Sequence, residues 1–379
     1  MSSEDTLHRL LAVASHNPSM AAVREAAPHD GEIVDFCVPV NRHFPPASLL
    51  EQLRASLPDL LRHYPDDAAA LEPHLAELIG LPARHVVLAN GSTEVITALC
   101  RMARGPIVTT VPTFGRWTDL PAEWGVPAHY VHHRRSRSWR VDVDELIDSV
   151  RRHGADTLVL CNPNNPTGAW FTSDEIGRIV TTLSDLATIV IDESFIDFSS
   201  LTSASELALG DDGNLVIVKS LGKSLGWHGI RLGYAVAGER RAAALRRQLP
   251  RWNVNGLAAQ VLKELAPLGD ALRASFGQVI RDREYLLERL AEVDGLTVFP
   301  SEANFVYAEL APGLCGRALR RRLLERDGLY LRECSNKVGD DECHLRIAVL
   351  PRAESDRLAQ ALRGHLTAMM GVSSPAAAA

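Results

Sequence analysis

The sequence predicts an α/β protein with a mostly parallel sheet covered by helices on both faces, followed by a smaller α+β domain. Three observations predict it. Short β-branched apolar runs alternate with longer amphipathic segments between residues 85 and 238. Those runs are apolar throughout rather than every second residue, as strands buried on both faces are. Near residue 250 the pattern changes to one long amphipathic helix and several short strands.

Taken in order, the first forty residues are dotted with Pro and His and read as an extended arm. "ASLLEQLRASLPDLLRH" (47–63) and "AALEPHLAELIG" (69–80) carry helical apolar spacing. Then come the strand-like runs, each with a distinct segment behind it. "HVVLA" (85–89) precedes "STEVITALCRMA", and "IVTTV" (107–111) precedes "PTFGRW". "TLVLC" (157–161) precedes "NPNNPTG", and "TIVID" (188–192) precedes "ESFIDF". "LVIVK" (215–219) runs into "SLGKSLGWHGIRL", and "GYAVAG" (233–238) follows. "QVIRDREYLLERLAEVDG" (278–295) is a long amphipathic helix. After it, "LTVFP", "NFVYAEL", "GLYLREC" and "CHLRIAV" read as strands. The last seven residues, 373–379, read as a disordered tail.

Composition narrows the function. The 379 residues are 46% hydrophobic and 23% charged, with a net charge of −7, which argues against nucleic acid as a partner. No run approaches the ~18 apolar residues of a membrane span. The N-terminal stretch is acidic first and lacks a basic leader, so a cytoplasmic protein is expected. Six cysteines form no CxxC pair and read as reduced thiols; no metal site is expected. No GxGxxG follows a first strand, which removes a nicotinamide dehydrogenase.

In open parallel sheets, ligands bind beyond the carboxyl ends of the strands. Beyond 85–89 lie Gly91, Ser92 and Thr93, opening a helix: free N–H groups and two hydroxyls, a phosphate cradle. On its own this is also an ordinary helix cap. Beyond 157–161, two prolines stiffen a turn that carries Asn165; the bland reading is a structural turn. Asp192 ends four apolar residues, and a buried carboxylate needs a partner. The chain has only four lysines, Lys219, Lys223, Lys263 and Lys337, and two of them stand four residues apart in a glycine-rich stretch. Lys223 offers an amine that forms a Schiff base with an aldehyde cofactor, and Asp192 a partner for a pyridinium N–H. Asn165 suits a ring hydroxyl. Arg231, Ser220, Ser92 and Thr93 suit the cofactor's phosphate. Lys219 reads as a flank residue at the strand end.

In this order, "NGSTE", "PTFGRW", "NPNNPTG", "DESFIDF", "SLGKSLGWHGIRLGY", "WNVN" and "SEANF" resemble the pyridoxal-phosphate (PLP) enzymes of fold type I, the class I/II aminotransferases. The similar subgroup holds histidinol-phosphate aminotransferase and threonine-phosphate decarboxylase. The resemblance spans about residues 33 to 365. It implies a large domain (46–260) with a mostly parallel seven-stranded sheet, a small domain (261–372) and an arm (1–45) joining the small domain. It also implies that Phe114 stacks on the cofactor ring and that Tyr64 reaches the cofactor phosphate in a partner subunit, hence a homodimer with shared sites. Arg346 would grip the substrate carboxylate, and Asn41 would stand at the pocket mouth.

Three departures stand out. Phe195 occupies a position that is often Tyr. Gly222 precedes the lysine where Thr or Ser is usual. Trp227 and His228 add bulk beside it; His228 is either a pocket acid–base group or structural. The expectation is an aminotransferase acting on a small amino or keto acid or an amino phosphate. The alternative is a PLP decarboxylase or lyase, with Arg332 and Arg42 as candidate binders of a distal phosphate. A non-enzymatic regulator lacks a basic N-terminal segment to bind DNA.

Overall fold

The computed structural model describes residues 18–29, 31–210, 213–339 and 343–372. These fall into two compact units. Among the described residues, the larger takes in Val40–Asn165 and Ala169–Gln278, and the smaller those up to Pro39, Pro166–Gly168 and those from Val279 on. The expected boundary at 260/261 falls instead at 278/279, because the helix after residue 255 packs on the first helices of the larger unit. The tail expected at 373–379 lies outside the described residues.

From the N-terminal side the elements are α1 (Met20–Ala26), β1 (Val34–Asp35), α2 (Ala47–Arg62), α3 (Ala68–Ile79), β2 (Val86–Ala89), α4 (Ser92–Met102), β3 (Ile107–Val111), α5 (Arg116–Glu123), β4 (Ala128–His132) and α6 (Val143–Arg152). There follow β5 (Thr157–Cys161), α7 (Ser173–Thr182), β6 (Thr188–Asp192), β7 (Leu215–Ser220), α8 (Leu221–Ser224), β8 (Gly233–Ala237), α9 (Glu239–Arg246) and α10 (Gly256–Leu265). The chain ends with α11 (Gly269–Ala291), β9 (Leu296–Phe299), β10 (Phe305–Leu310), α12 (Gly316–Asp327), β11 (Leu329–Tyr330), β12 (Arg332–Glu333), α13 (Ser335–Val338), β13 (His344–Ala348) and α14 (Arg352–Val372). The arm expected over the first forty residues is not wholly extended: Ser19 caps α1, its side chain accepting from the Ala22 N–H, and β1 pairs in parallel with β11.

In the larger unit seven strands run in the order β2-β8-β7-β6-β5-β3-β4. All pairs are parallel except those of β8, which is antiparallel to both neighbours. Side chains alternate between two cores. Leu160, Ile191, Ile217 and Val236 enter one, and Val159, Val190, Val218 and Ala235 the other. This is why the strands read as unbroken apolar runs. β4 was not singled out from the sequence, because "AHYVH" is a sheet-edge strand with only Val131 buried.

Helix starts are set by side chains. Thr172 and Glu175 form a capping box at α7, and Asp142 caps α6 through two N–H groups. α4 differs: Gly91, at φ 75°, precedes it and no side chain caps it. In the smaller unit, β12-β13-β10-β9 form an antiparallel sheet.

Candidate active site

The ends of β2, β7 and β8 are brought together by register. Gly233 pairs with Ala89 on one side and with Ser220 on the other. A side chain at Gly233 would collide with the Ser92 N–H, and one at Gly91 with the Arg231 guanidinium, so glycine alone permits this approach. Arg231 is itself left-handed, at φ 57°, and donates from Nη1 to the His228 carbonyl at 3.3 Å. The result is a cup of an uncapped helix start, two hydroxyls and a guanidinium, the donor set for a phosphate dianion. Of the residues expected there, the Ser92 N–H, the Ser220 backbone and the Arg231 guanidinium border Gly91 and Gly233.

Beside the cup, one small space is lined by Phe114, Cys161, Pro163, Asn165, Asp192, Ser194, Phe195 and Lys223. The residues expected at the cofactor ring are therefore collected at one place. Asp192 is buried. Its Oδ2 accepts from Trp117 Nε1 at 2.9 Å and its Oδ1 from the Ser194 N–H at 3.0 Å, which fixes the plane of the carboxylate. The turn behind Asn165 is locked by its neighbours. Asn162 exchanges bonds with the backbone of Phe171, and Asn164 donates to the Pro112 carbonyl while accepting from Thr113. Lys223 Nζ lies 4.6 Å from the centre of the Phe195 ring, so the departure from Tyr puts an apolar face against the amine. Cys161, at the floor of this space, is kept a neutral thiol first by its burial.

A sequence profile described as aminotransferase class I and II matches residues 31–362. The chain belongs to the class I and II aminotransferase family. It is therefore a PLP-dependent enzyme, and the cup, the carboxylate and the lysine fit that cofactor. Among similar proteins, a CMP-5'-(3-aminopropyl)phosphonate synthase of Streptomyces rubellomurinus is 35% identical over 86% of the chain; the chain spans 51% of it, about half its length. An L-serine phosphate decarboxylase of Sulfurospirillum multivorans is 30% identical over 93% of both chains. A histidinol-phosphate aminotransferase of Gloeobacter violaceus is 32% identical over 70% of this chain and 79% of its own. The solved structure of a decarboxylase from Sulfurospirillum multivorans superposes with a TM-score of 0.86 at 27% identity, covering 96% of each chain.

The lysine-bearing helix α8 is four residues long, and two of its supports differ from the sequence expectation. Lys219 is not a flank residue. It is buried and pairs with Asp197 at 2.6 Å, on the sheet face opposite Asp192. Burial works against its charge, but Asp197, Tyr234 and Glu193 outweigh burial and hold its pKa above the ordinary lysine value. The other Asp197 oxygen accepts from Ser224 Oγ at 2.6 Å, so one carboxylate ties the strand before Lys223 to the residue after it. Asn41, expected at the pocket mouth, is 1% exposed and its amide is committed elsewhere. It donates to the Ser224 carbonyl and to Ser275 Oγ, and accepts from the His43 N–H. Asn41 positions the lysine backbone, whose Lys223 carbonyl also accepts from the Asn41 N–H at 3.0 Å.

Tyr64 is 83% exposed and tilts against Trp252, with ring centres 5.1 Å apart. It does not line the space around Lys223. Arg42 is exposed. Arg346 and Arg332 belong to the smaller unit, where they are directly opposed across β13 and β12. Arg346 Nη2 donates to the Cys37 carbonyl at 2.7 Å, and Arg332 Nη2 to Asn336 Oδ1 at 2.8 Å. Trp117, Ser194 and Asp197 escaped the sequence reading. Asp197 carried a usable signal, since it is a second acid amid the apolar residues of "SFIDF". Trp117 carried none beyond an apolar position on a helix.

Proposed function

We propose that this protein is a PLP-dependent decarboxylase of an amino acid carrying a phosphate or phosphonate at its far end. One observation carries the reading: a pair of buried arginines. Arg332 and Arg346 are 9% and 8% exposed and are register partners on adjacent strands. Burial already presses the Arg346 guanidinium towards neutrality, with Arg332 adding to it, so the pair favours a dianion. A distal phosphate supplies that charge with bidentate geometry. This departs from the carboxylate role expected of Arg346. The serine-phosphate decarboxylase relative, similar over 93% of both chains, supports the same substrate class.

When bound, PLP would supply an electron sink for a bond broken at the Cα of the amino acid. In this reading Lys223 would hold the cofactor at Nζ and deliver a proton to Cα after CO₂ has left. Asp192 would hold the pyridine nitrogen, with Trp117 fixing the carboxylate, and Asn165 the ring oxygen. Phe114 would cover the ring face. Ser92, Thr93, Ser220 and Arg231 would hold the cofactor phosphate. Arg332 and Arg346 would take the distal phosphate, so that neither would be left for the carboxylate. The second reading is transamination, which the histidinol-phosphate aminotransferase relative favours; there Arg346 would hold the substrate carboxylate and Lys223 would take a proton from Cα instead.

The test is to give the PLP-loaded protein L-phosphoserine, L-phosphothreonine and histidinol phosphate. Release of CO₂ with the matching phosphorylated amine is expected from one of the first two. Formation of pyridoxamine phosphate without CO₂ would replace decarboxylation by transamination. R332Q and R346Q are expected to raise KM for the phosphorylated amino acid.

A further inference from the structure

We propose that the His228 imidazole, which fills the space left by the glycine at position 222, is a ligand of the cofactor's phosphate. The inference rests on the cofactor, and is independent of the choice between decarboxylation and transamination.

Position 222 directly precedes the lysine, and it is a glycine where the resemblance has Thr or Ser. A Cβ there would stand 3.2 Å from His228 Cα, 3.4 Å from the Trp227 carbonyl oxygen and 3.5 Å from His228 Nδ1. The space of the absent side chain is thus taken by the 227–228 segment, with the imidazole turned into it. Bulk and glycine are one exchange: Trp227-His228 fits because residue 222 has no side chain.

The main chain of the same residue borders the cup. The Arg231 guanidinium donates to the His228 carbonyl at 3.3 Å and stands over Gly91, at the uncapped start of α4. His228 and the helix start are therefore joined by a single guanidinium. On the ring side, the space around Lys223 is lined by Phe114, Asn165, Asp192 and Phe195 among others, and His228 is not part of that lining. This placement separates the two roles open to His228. An acid–base group for Cα would face the ring; a phosphate ligand would flank the cup. An imidazole N–H donates to a phosphate oxygen as a hydroxyl does, and adds charge when protonated.

Pyridoxal and PLP differ only by the phosphate, so they separate the roles. Apoenzyme is prepared from wild type, H228A and H228N, and titrated with each ligand by the visible absorbance of the lysine-bound form. PLP affinity of H228A is expected to fall about tenfold, the effect of one charge-assisted hydrogen bond. Pyridoxal affinity is expected to stay at the wild-type value. H228N keeps an N–H donor near the place of Nδ1 and is expected to recover most of the PLP affinity. Should H228A not be recovered folded, H228L, which has no donor but similar bulk, takes its place. Equal losses for both ligands, or no loss for PLP, would overturn the proposal.

Discussion

Asp192 receives one donor on each oxygen, an indole from α5 and a backbone N–H two residues on. The indole donates through a nitrogen that does not ionise, and with the Ser194 N–H it fixes the carboxylate's orientation. Trp117→Phe removes that bond and leaves the ring volume nearly filled. We expect PLP affinity to fall about tenfold in equilibrium titration, with the fold intact by circular dichroism. An unchanged affinity would mean that the Ser194 N–H suffices. Lys223→Ala is expected to abolish the visible absorbance of the bound cofactor altogether; a surviving band would place the attachment on another residue. Lys223 was legible because a primary amine among so few lysines is rare here. Trp117 was not, because only the meeting of α5 with the end of β6 gives its nitrogen a partner.

The run from β7 through α8 to β8 shows how an element carries two chemistries. Strand parity sends Lys219 to the face of Ile217, and Asp192 of the neighbouring strand to the other face. Lys219, Asp197 and Ser224 then form a partly buried clasp beside the lysine-bearing turn. Lys219→Met leaves the partly buried Asp197 without its counter-charge and should cost about 1–3 kcal/mol in urea unfolding. A loss below about 1 kcal/mol would show that water replaces the ammonium. The edge strand β4 supplies a pH-dependent term. His133, next to it, is buried, gives its Nδ1 to the Trp139 carbonyl at 2.6 Å, and burial lowers its pKa from 6.5 to about 4. The folded state therefore binds this proton less readily than the unfolded chain. Its contribution is complete above pH 6.5 and is lost as pH falls towards 4, on the order of 3 kcal/mol. His133→Gln should flatten that acid branch of the Tm–pH curve relative to wild type; parallel curves would refute the assignment.

At the scale of the whole molecule, the larger unit shows apolar side chains to solvent along α2 and beyond it. Leu57, Leu61, Tyr64 and Trp252 are 38%, 76%, 83% and 52% exposed. A run of this kind marks an interface. We expect the protein to be a homodimer by light scattering at micromolar concentration, through this face. Leu61→Arg should shift it to monomer and weaken PLP binding, since Tyr64 would no longer reach a neighbouring cup. A wild-type monomer would exclude the shared site. Among the described residues no helix is long and apolar enough to cross a membrane.

The sequence by itself determined the sheet, its strand-end residues and the cofactor chemistry. Buried parallel strands must be apolar throughout, and an imine-forming lysine, a pyridine-binding acid and a phosphate cradle each demand particular residue types. Tertiary structure alone decided the partners: Trp117 on Asp192, Asp197 between Lys219 and Ser224, Asn41 on the backbone of Lys223, and Arg332 opposite Arg346. Each of these contacts joins residues from different elements, and a hydrogen bond depends on a distance and an angle that spacing along the chain does not encode. Position 222 lies between the two cases. Its glycine is visible in the sequence, but that His228 fills the space it leaves is a matter of how one loop folds back on another.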